Sequence, residues 1–225
     1  MAHDTQLPVM LTIAGSDSGG GAGIQADVKT FAALGTFGTT AITAITAQNP
    51  DGVTDIQGIA PRTVAAQIKA VADYFEIGAA KTGMLFSSDI IHAVADALEQ
   101  ISHKAAARRP VKLVVDPVMV ATSGARLLKE DAIQALCDRI LPLAAVVTPN
   151  MSEAALLAGM DVSTREHLEP AARALHRRFK VPILVKGGHL KGSDEAVDCL
   201  FDGAAVKFFS DRFLAGINAH GTGCT

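Results

Sequence analysis

The chain has 225 residues and no tryptophan, one tyrosine and only 4% aromatics. A core must therefore come from Ala, Val, Ile and Gly, the usual filling of helices packed tightly on a parallel sheet. Charge of one sign is also missing. The net charge of −3 gives no basic field to attract nucleic acid, and no basic amphipathic stretch suggests a membrane surface. No apolar run reaches membrane-spanning length, and the polar start, Met1 to Gln6, is no signal peptide. Cysteine is rare. Three widely spaced thiols, an odd number, fit reduced cysteines in a cytosolic protein. No C-x-x-C or histidine cluster suggests structural zinc. No G-x-x-x-x-G-K-[ST] occurs, which argues against a P-loop enzyme. Repeats, low-complexity tracts and linkers are absent too, so residues 1–225 are expected to form a single domain.

Apolar strand-like runs alternate with amphipathic helical stretches. This pattern predicts an α/β fold with a mostly parallel central sheet and helices on both faces. Strands are expected at Val9–Ala14, Thr39–Ala47, Val111–Asp116, Ala145–Thr148 and Pro182–Lys186, and Ala79 to Leu85 reads as a buried strand ending in a loop. Gly52–Ile59 reads as a short edge strand. Ala196–Phe201 and Ala205–Phe209 read as a hairpin about Asp202-Gly203. Helices are expected at Ile24–Leu34, closed by Gly35, at Pro61–Phe75 with proline at the first position, and from Ser87 or Ser88 to Ile101. Others are expected at Lys129–Leu141, at Asn150–Leu157, stopped by Gly159, and at Arg165–Phe179. His103–Pro110 reads as a solvated basic connector.

After the first strand comes Gly21-Ala22-Gly23-Ile24-Gln25-Ala26, a match to the dinucleotide fingerprint G-x-G-x-x-[GA]. Two features oppose that reading. Six residues, Gly15 to Gly20, separate Gly21 from Ala14. The acid that should take the ribose hydroxyls is also absent, because the next strand ends in the amides Gln48-Asn49. What remains is a flexible loop, or one whose backbone approaches a small ligand with Asp17 and Asp27 as polar handles.

Ligands of open α/β sheets bind beyond the C-terminal ends of the strands. There this sequence gathers Gly15-Ser16-Asp17, Gln48-Asn49, Gly83-Met84, Asp116-Pro117-Val118-Met119, Thr148-Pro149-Asn150 and Lys186-Gly187-Gly188-His189. Each has a bland alternative. Asn150 and Glu153 resemble a capping box. Asp116-Pro117 could be only a turn, Gln48 could merely satisfy strand carbonyls, and Met84 could be core. Lys186 could be a solvated loop lysine, although a lysine closing an apolar strand into glycines more often faces a phosphate. His189 reads as a loop histidine. The sharpest motif is Gly221-Thr222-Gly223-Cys224. If a helix begins there, its N–H groups make an anion hole suited to a phosphoryl group in flight.

In order, AGSDSGGGAGIQAD, TAITAQN, KTGML, DPVMVATSG, TPNMSEA, VKGGH and HGTGC resemble the hydroxymethylpyrimidine/phosphomethylpyrimidine kinases of thiamine biosynthesis, in the ribokinase-like superfamily. The resemblance runs from about Val9 to Thr225. It implies a ribokinase-like three-layer fold and ATP-dependent phosphorylation of 4-amino-5-hydroxymethyl-2-methylpyrimidine, then of its monophosphate. It implies that Gln48 bonds the aminopyrimidine, that Gly15, Ala22, Met84 and Val118 wall the pocket, and that Asp27 is a polar contact. Lys186 would meet the ATP phosphates. Asp116, Asn150 and Glu153 would form the ATP and Mg²⁺ side, with Asp116 and Glu153 reaching the metal through water. Gly221, Thr222 and Gly223 would form the anion hole. Cys224 would stand where many ribokinase relatives carry an aspartate base, with a thiol pKa lowered by a helix N-terminus. Family members continue through further helices, so those helices are expected to lie outside residues 1–225. The resemblance also implies a cytoplasmic homodimer. Rival expectations are a pyridoxal kinase and a pyrimidine-binding relative with catalysis impaired.

Overall fold

Leu11, Thr12, Ile13 and Ala14 are all buried, as a strand covered on both faces requires. They form the middle of β1 (Val9–Asp17). The computed structural model describes residues 7–105, 111–119, 128–188 and 195–212. They divide into two compact units, one within Met1–Lys112 and one within Leu113–Asn218.

In the first unit β1 is followed by α1 (Gly23–Ala33), β2 (Phe37–Asn49), β3 (Gly52–Gly58), α2 (Pro61–Tyr74), β4 (Ile77–Thr82) and α3 (Ser88–Ala105). The strand order is β3-β2-β1-β4. β1 lies parallel to β2 and β4, and β3 runs antiparallel along β2 as the expected edge strand. The end of α1 shows why Gly35 is glycine. Its φ is +70°, its N–H bonds the Ala32 carbonyl, and Thr36 N–H bonds that of Phe31. That double closure is a Schellman motif. Pro61 opens α2, where its missing N–H costs nothing.

The second unit holds β5 (Lys112–Val115), α4 (Glu130–Ala135), β6 (Val146–Val147), α5 (Met151–Ala158), α6 (Arg165–Phe179), β7 (Ile183–Lys186), β8 (Glu195–Phe201) and β9 (Val206–Arg212). The order is β5-β6-β7-β8-β9. β5, β6 and β7 are parallel, and β8 and β9 continue antiparallel. Gly159, at φ +64°, ends α5 in the left-handed conformation.

Several boundaries differ from the sequence reading. β1 continues past Ala14, because one extra residue in β2 opposite Gly15 shifts the register and lets Ser16 and Asp17 pair with Ile45 and Thr46. β2 extends two residues further at each end than expected. β4 begins at Ile77, two residues earlier than expected, and ends at Thr82, with Gly83 to Leu85 in the loop expected after it. α3 runs to Ala105, which places the start of the expected basic connector in a helix; residues 106–110 lie outside the described residues. The expected helix Lys129–Leu141 changes winding. After α4 it widens to a π turn over Leu136–Ile140 and tightens to a 3₁₀ turn over Leu141–Leu143. Pro142 lies in that last turn and cannot donate to an α ladder.

Candidate active site

In the first unit the glycine-rich loop is built around Asp17. This side chain is only 2% exposed. Its Oδ1 accepts from Gly19 N–H at 2.8 Å, and its Oδ2 from Gly21 and Ala22 N–H at 3.0 and 2.8 Å. A carboxylate taking three backbone donors fixes a loop that has few side chains of its own. So Asp17, expected as a ligand handle, is the loop's internal anchor. Gln25 fastens the same loop. Its Oε1 accepts from Asp17 N–H at 2.8 Å and its Nε2 donates to Ser16 Oγ at 2.8 Å.

Asp27 is also buried, at 3% exposure. Thr12 donates to Oδ2 at 2.5 Å, and Lys81 Nζ lies 2.8 Å from Oδ1. Both oxygens of this expected substrate contact are thus engaged within the protein. Sequence reasoning missed Thr12 and Lys81. The available signal was a lysine inside the apolar strand Ala79-Ala80-Lys81-Thr82, where burial demands a partner. Gly15 and Met84 do come together: a Cβ on Gly15 would stand 2.6 Å from Met84 Cε. Ala22 is the N-cap position of α1. Gln48 is half-buried near the end of β2. Ser18 holds its main chain on both sides, accepting from Gln48 N–H at 2.8 Å and donating to Gln48 O at 2.7 Å. Thr46 Oγ1 lies 3.2 Å from the Gln48 side-chain amide.

In the second unit Lys186 is the last residue of β7, not a loop residue, and its Nζ lies 3.0 Å from Asp116 Oδ1. Asn150 and Glu153 form the capping box in full. Glu153 N–H donates to Asn150 Oδ1, and Asn150 N–H to Glu153 Oε2, both at 2.9 Å. Capping does not exhaust Glu153. Its Oε1 accepts from Met119 N–H at 2.9 Å, so this one carboxylate ties the loop after β5 to the start of α5. Burial, and then the Asp116 charge, push the Glu153 carboxyl up to about 7. Val118, expected as a pocket wall, has φ +45°, an unfavourable conformation for a β-branched residue. The Glu153–Met119 bond holds the backbone immediately beyond it. Backbone strain of this kind gathers at functional sites.

The second-unit group presents an ammonium, a buried carboxylate beside it and a second carboxylate that resists ionisation. An added cation would relieve the mutual repulsion of Asp116 and Glu153. Hard oxygen donors of this kind suit Mg²⁺. Gly221, Thr222, Gly223, Cys224 and His189 lie outside the described residues.

The family model for phosphomethylpyrimidine kinase matches residues 17–225. A hydroxymethylpyrimidine/phosphomethylpyrimidine kinase from Rhizobium meliloti is 49% identical over 96% of this chain and 79% of its own length. A thiamine biosynthesis bifunctional protein from Geobacter sulfurreducens is also 49% identical over 96% of this chain, which spans 42% of that relative. Among solved structures, a phosphomethylpyrimidine kinase from Clostridium difficile 630 superimposes with TM-score 0.81 at 40% identity, covering 90% of this chain and 84% of that one. An ADP complex of Bacillus subtilis pyridoxal kinase gives TM-score 0.84 at 35% identity, covering 97% and 80%. The chain belongs to the phosphomethylpyrimidine kinase family and has its α/β, ribokinase-like fold.

Proposed function

We propose that the chain transfers the γ-phosphoryl group of ATP to the hydroxymethyl oxygen of 4-amino-5-hydroxymethyl-2-methylpyrimidine, and then a second phosphoryl group to the monophosphate so formed. The observation that carries this reading is the Lys186–Asp116 pair at 3.0 Å, set where β7 opens into Gly187-Gly188. A lysine held there by a carboxylate offers a fixed positive charge to a phosphate chain. Phosphoryl transfer asks the protein mainly for position and for positive charge about the equatorial oxygens.

In this reading Gln48, Met84, Gly15, Ala22, Asp27 and Val118 serve the pyrimidine. Asp27 acts from inside its Thr12 and Lys81 contacts. Lys186, Asn150, Asp116 and Glu153 serve the nucleotide. Asp116 and Glu153 would hold Mg²⁺ through water. The ion would neutralise charge on the phosphates as the transferring group departs. Gly221, Thr222 and Gly223 are assigned the anion hole. Cys224 is assigned to positioning the nucleophile and assisting its deprotonation in the first step; the second nucleophile is a phosphate oxygen and needs almost no base. The chain is further proposed to act as one catalytic domain, in the cytoplasm, as a homodimer. No helix among the described residues is long and apolar enough to cross a membrane.

The test is ADP release with ATP and Mg²⁺ when hydroxymethylpyrimidine, its monophosphate and pyridoxal are offered in turn. Turnover on the first two supports the proposal. Turnover on pyridoxal alone replaces it with vitamin B6 salvage. Tight pyrimidine binding without turnover replaces it with a binding protein.

A further inference from the structure

Thr46 is buried, with 5% of its surface exposed. Its hydroxyl has two oxygen neighbours, the Ser16 carbonyl at 2.7 Å and the Gln48 amide, with the atom placed as Oε1 at 3.2 Å. A hydroxyl carries one hydrogen. A backbone carbonyl can only accept, so that hydrogen goes to Ser16 O, the shorter contact. With it spent, an amide oxygen at 3.2 Å would face another oxygen with no proton between them. The two ends of a glutamine amide are distinguished by their hydrogen bonds. The end facing Thr46 is therefore the NH₂.

We propose that Thr46 is a positioning residue that sets which way round Gln48 presents its amide. Thr46 Oγ1 accepts one Nε2 hydrogen. The Gln48 carbonyl oxygen and the second Nε2 hydrogen then form the outward edge, an acceptor beside a donor. That edge complements a 4-aminopyrimidine, whose amino group donates and whose adjacent ring nitrogen accepts. A 4-oxo pyrimidine carries the reverse pattern, a ring N–H beside a carbonyl, and meets oxygen with oxygen. Thr46 thus selects amino over oxo rings. Two further contacts make the setting rigid. The Ser16 carbonyl that commits the Thr46 proton sits just after the register shift between β1 and β2 at Gly15. Ser18 bonds both backbone groups of Gln48, so only side-chain torsions remain to be fixed. This inference rests on the proposed binding of the pyrimidine by Gln48.

The experiment compares calorimetric affinities for hydroxymethylpyrimidine and its 4-oxo analogue in the wild type, Thr46→Val, Thr46→Ser and Gln48→Ala, with KM and kcat for each. Valine keeps the shape and removes the acceptor, whereas serine restores the hydroxyl. The expected result is a drop of about tenfold in amino-over-oxo preference for Thr46→Val, the scale of one hydrogen bond. KM should rise more than kcat falls, and Thr46→Ser should restore the preference. A Thr46→Val enzyme with undiminished preference overturns the proposal. Gln48→Ala with unchanged pyrimidine affinity overturns the binding assignment itself, and with it the inference. NMR on the wild type needs no variant: the Gln48 NH₂ protons should show nuclear Overhauser contacts to the Thr46 methyl group and hydroxyl side. An amide whose oxygen faces Thr46 overturns the proposal.

Discussion

Lys81 on β4 and Asp27 on α1 form an ion pair of 2.8 Å in which the carboxylate is 3% exposed and the lysine side chain 15%. Thr12 on β1 completes the group with a 2.5 Å hydrogen bond to the same carboxylate. The consecutive elements β1 and α1 are thereby joined to β4, 54 residues along the chain from Asp27, through one buried carboxylate. Removing one member of such a pair leaves the other buried without compensation, at a cost of roughly 3–5 kcal/mol. Lys81→Met should lower stability by that order in urea unfolding. The double variant Lys81→Met with Asp27→Leu should regain most of the loss. If the double variant is no better than the single, the pair is not the source of the effect.

Gly15 and Met84 make a second measurable relationship. A Cβ at Gly15 would meet the terminal methyl of Met84 at 2.6 Å, with the next atom, Ala44 O, at 3.7 Å. The obstruction is the end of a flexible side chain, which can swing away. Gly15→Ala should therefore cost less than about 1 kcal/mol in stability while raising KM for the pyrimidine. Adding Met84→Ala should relieve part of the KM change. Equal KM in the wild type and Gly15→Ala would remove Met84 from the pocket wall.

Glu153 predicts a pH dependence. Its folded carboxyl is raised to about 7, while the ordinary value is 4.5. The folded state therefore holds this proton more tightly than the unfolded state. Its contribution is fully present below about pH 4.5 and is lost as pH rises through about 7. In protein free of nucleotide and Mg²⁺, stability should fall between pH 5 and 7.5 by on the order of 2 kcal/mol from this group. Glu153→Gln should be less stable overall, having lost one of its two backbone acceptors, yet flatter with pH. An unaltered pH slope in Glu153→Gln would assign the dependence to another group.

The two glycines after Lys186 should behave oppositely. A Cβ on Gly187 would overlap the Val197 carbonyl oxygen and press on Leu168, whereas a Cβ on Gly188 meets nothing within 4 Å. Backbone cannot yield as a side-chain end can. Gly187→Ala should cost about 1–3 kcal/mol or more, read by thermal unfolding. Gly188→Ala should be neutral in stability, so any loss of activity it shows reports on ligand approach.

Much of the fold was legible because parallel strands are nearly continuous apolar runs and because helix stops carry their own chemistry. Gly159 and the Asn150–Glu153 box marked α5 closely, and Arg165–Phe179 was placed to the residue. Polar strand ends were not legible. Ser16, Asp17, Gln48 and Asn49 carry no apolar signal, and they are strand only because a neighbouring strand supplies their partners. In the candidate site, the Asn150–Glu153 capping box and the place of Lys186 at the end of a strand were legible from residue type and spacing. Thr12, Lys81, Ser18 and Thr46 were not, since a threonine or lysine in a strand looks the same whether or not a carboxylate or amide faces it.

The sequence by itself determined the order of elements, the caps, the absence of membrane-spanning helices among the described residues and, through seven ordered blocks, the kinase family. These depend on local periodicity, turn chemistry and residue type. Tertiary structure decided the roles of the polar groups. Asp17 serves its own loop, Asp27 is held by Lys81, and Glu153 reaches past its helix cap to Met119. Each assignment depends on which backbone N–H or side chain lies within about 3 Å, and on how far burial strengthens that contact. Separation along the chain says little about either.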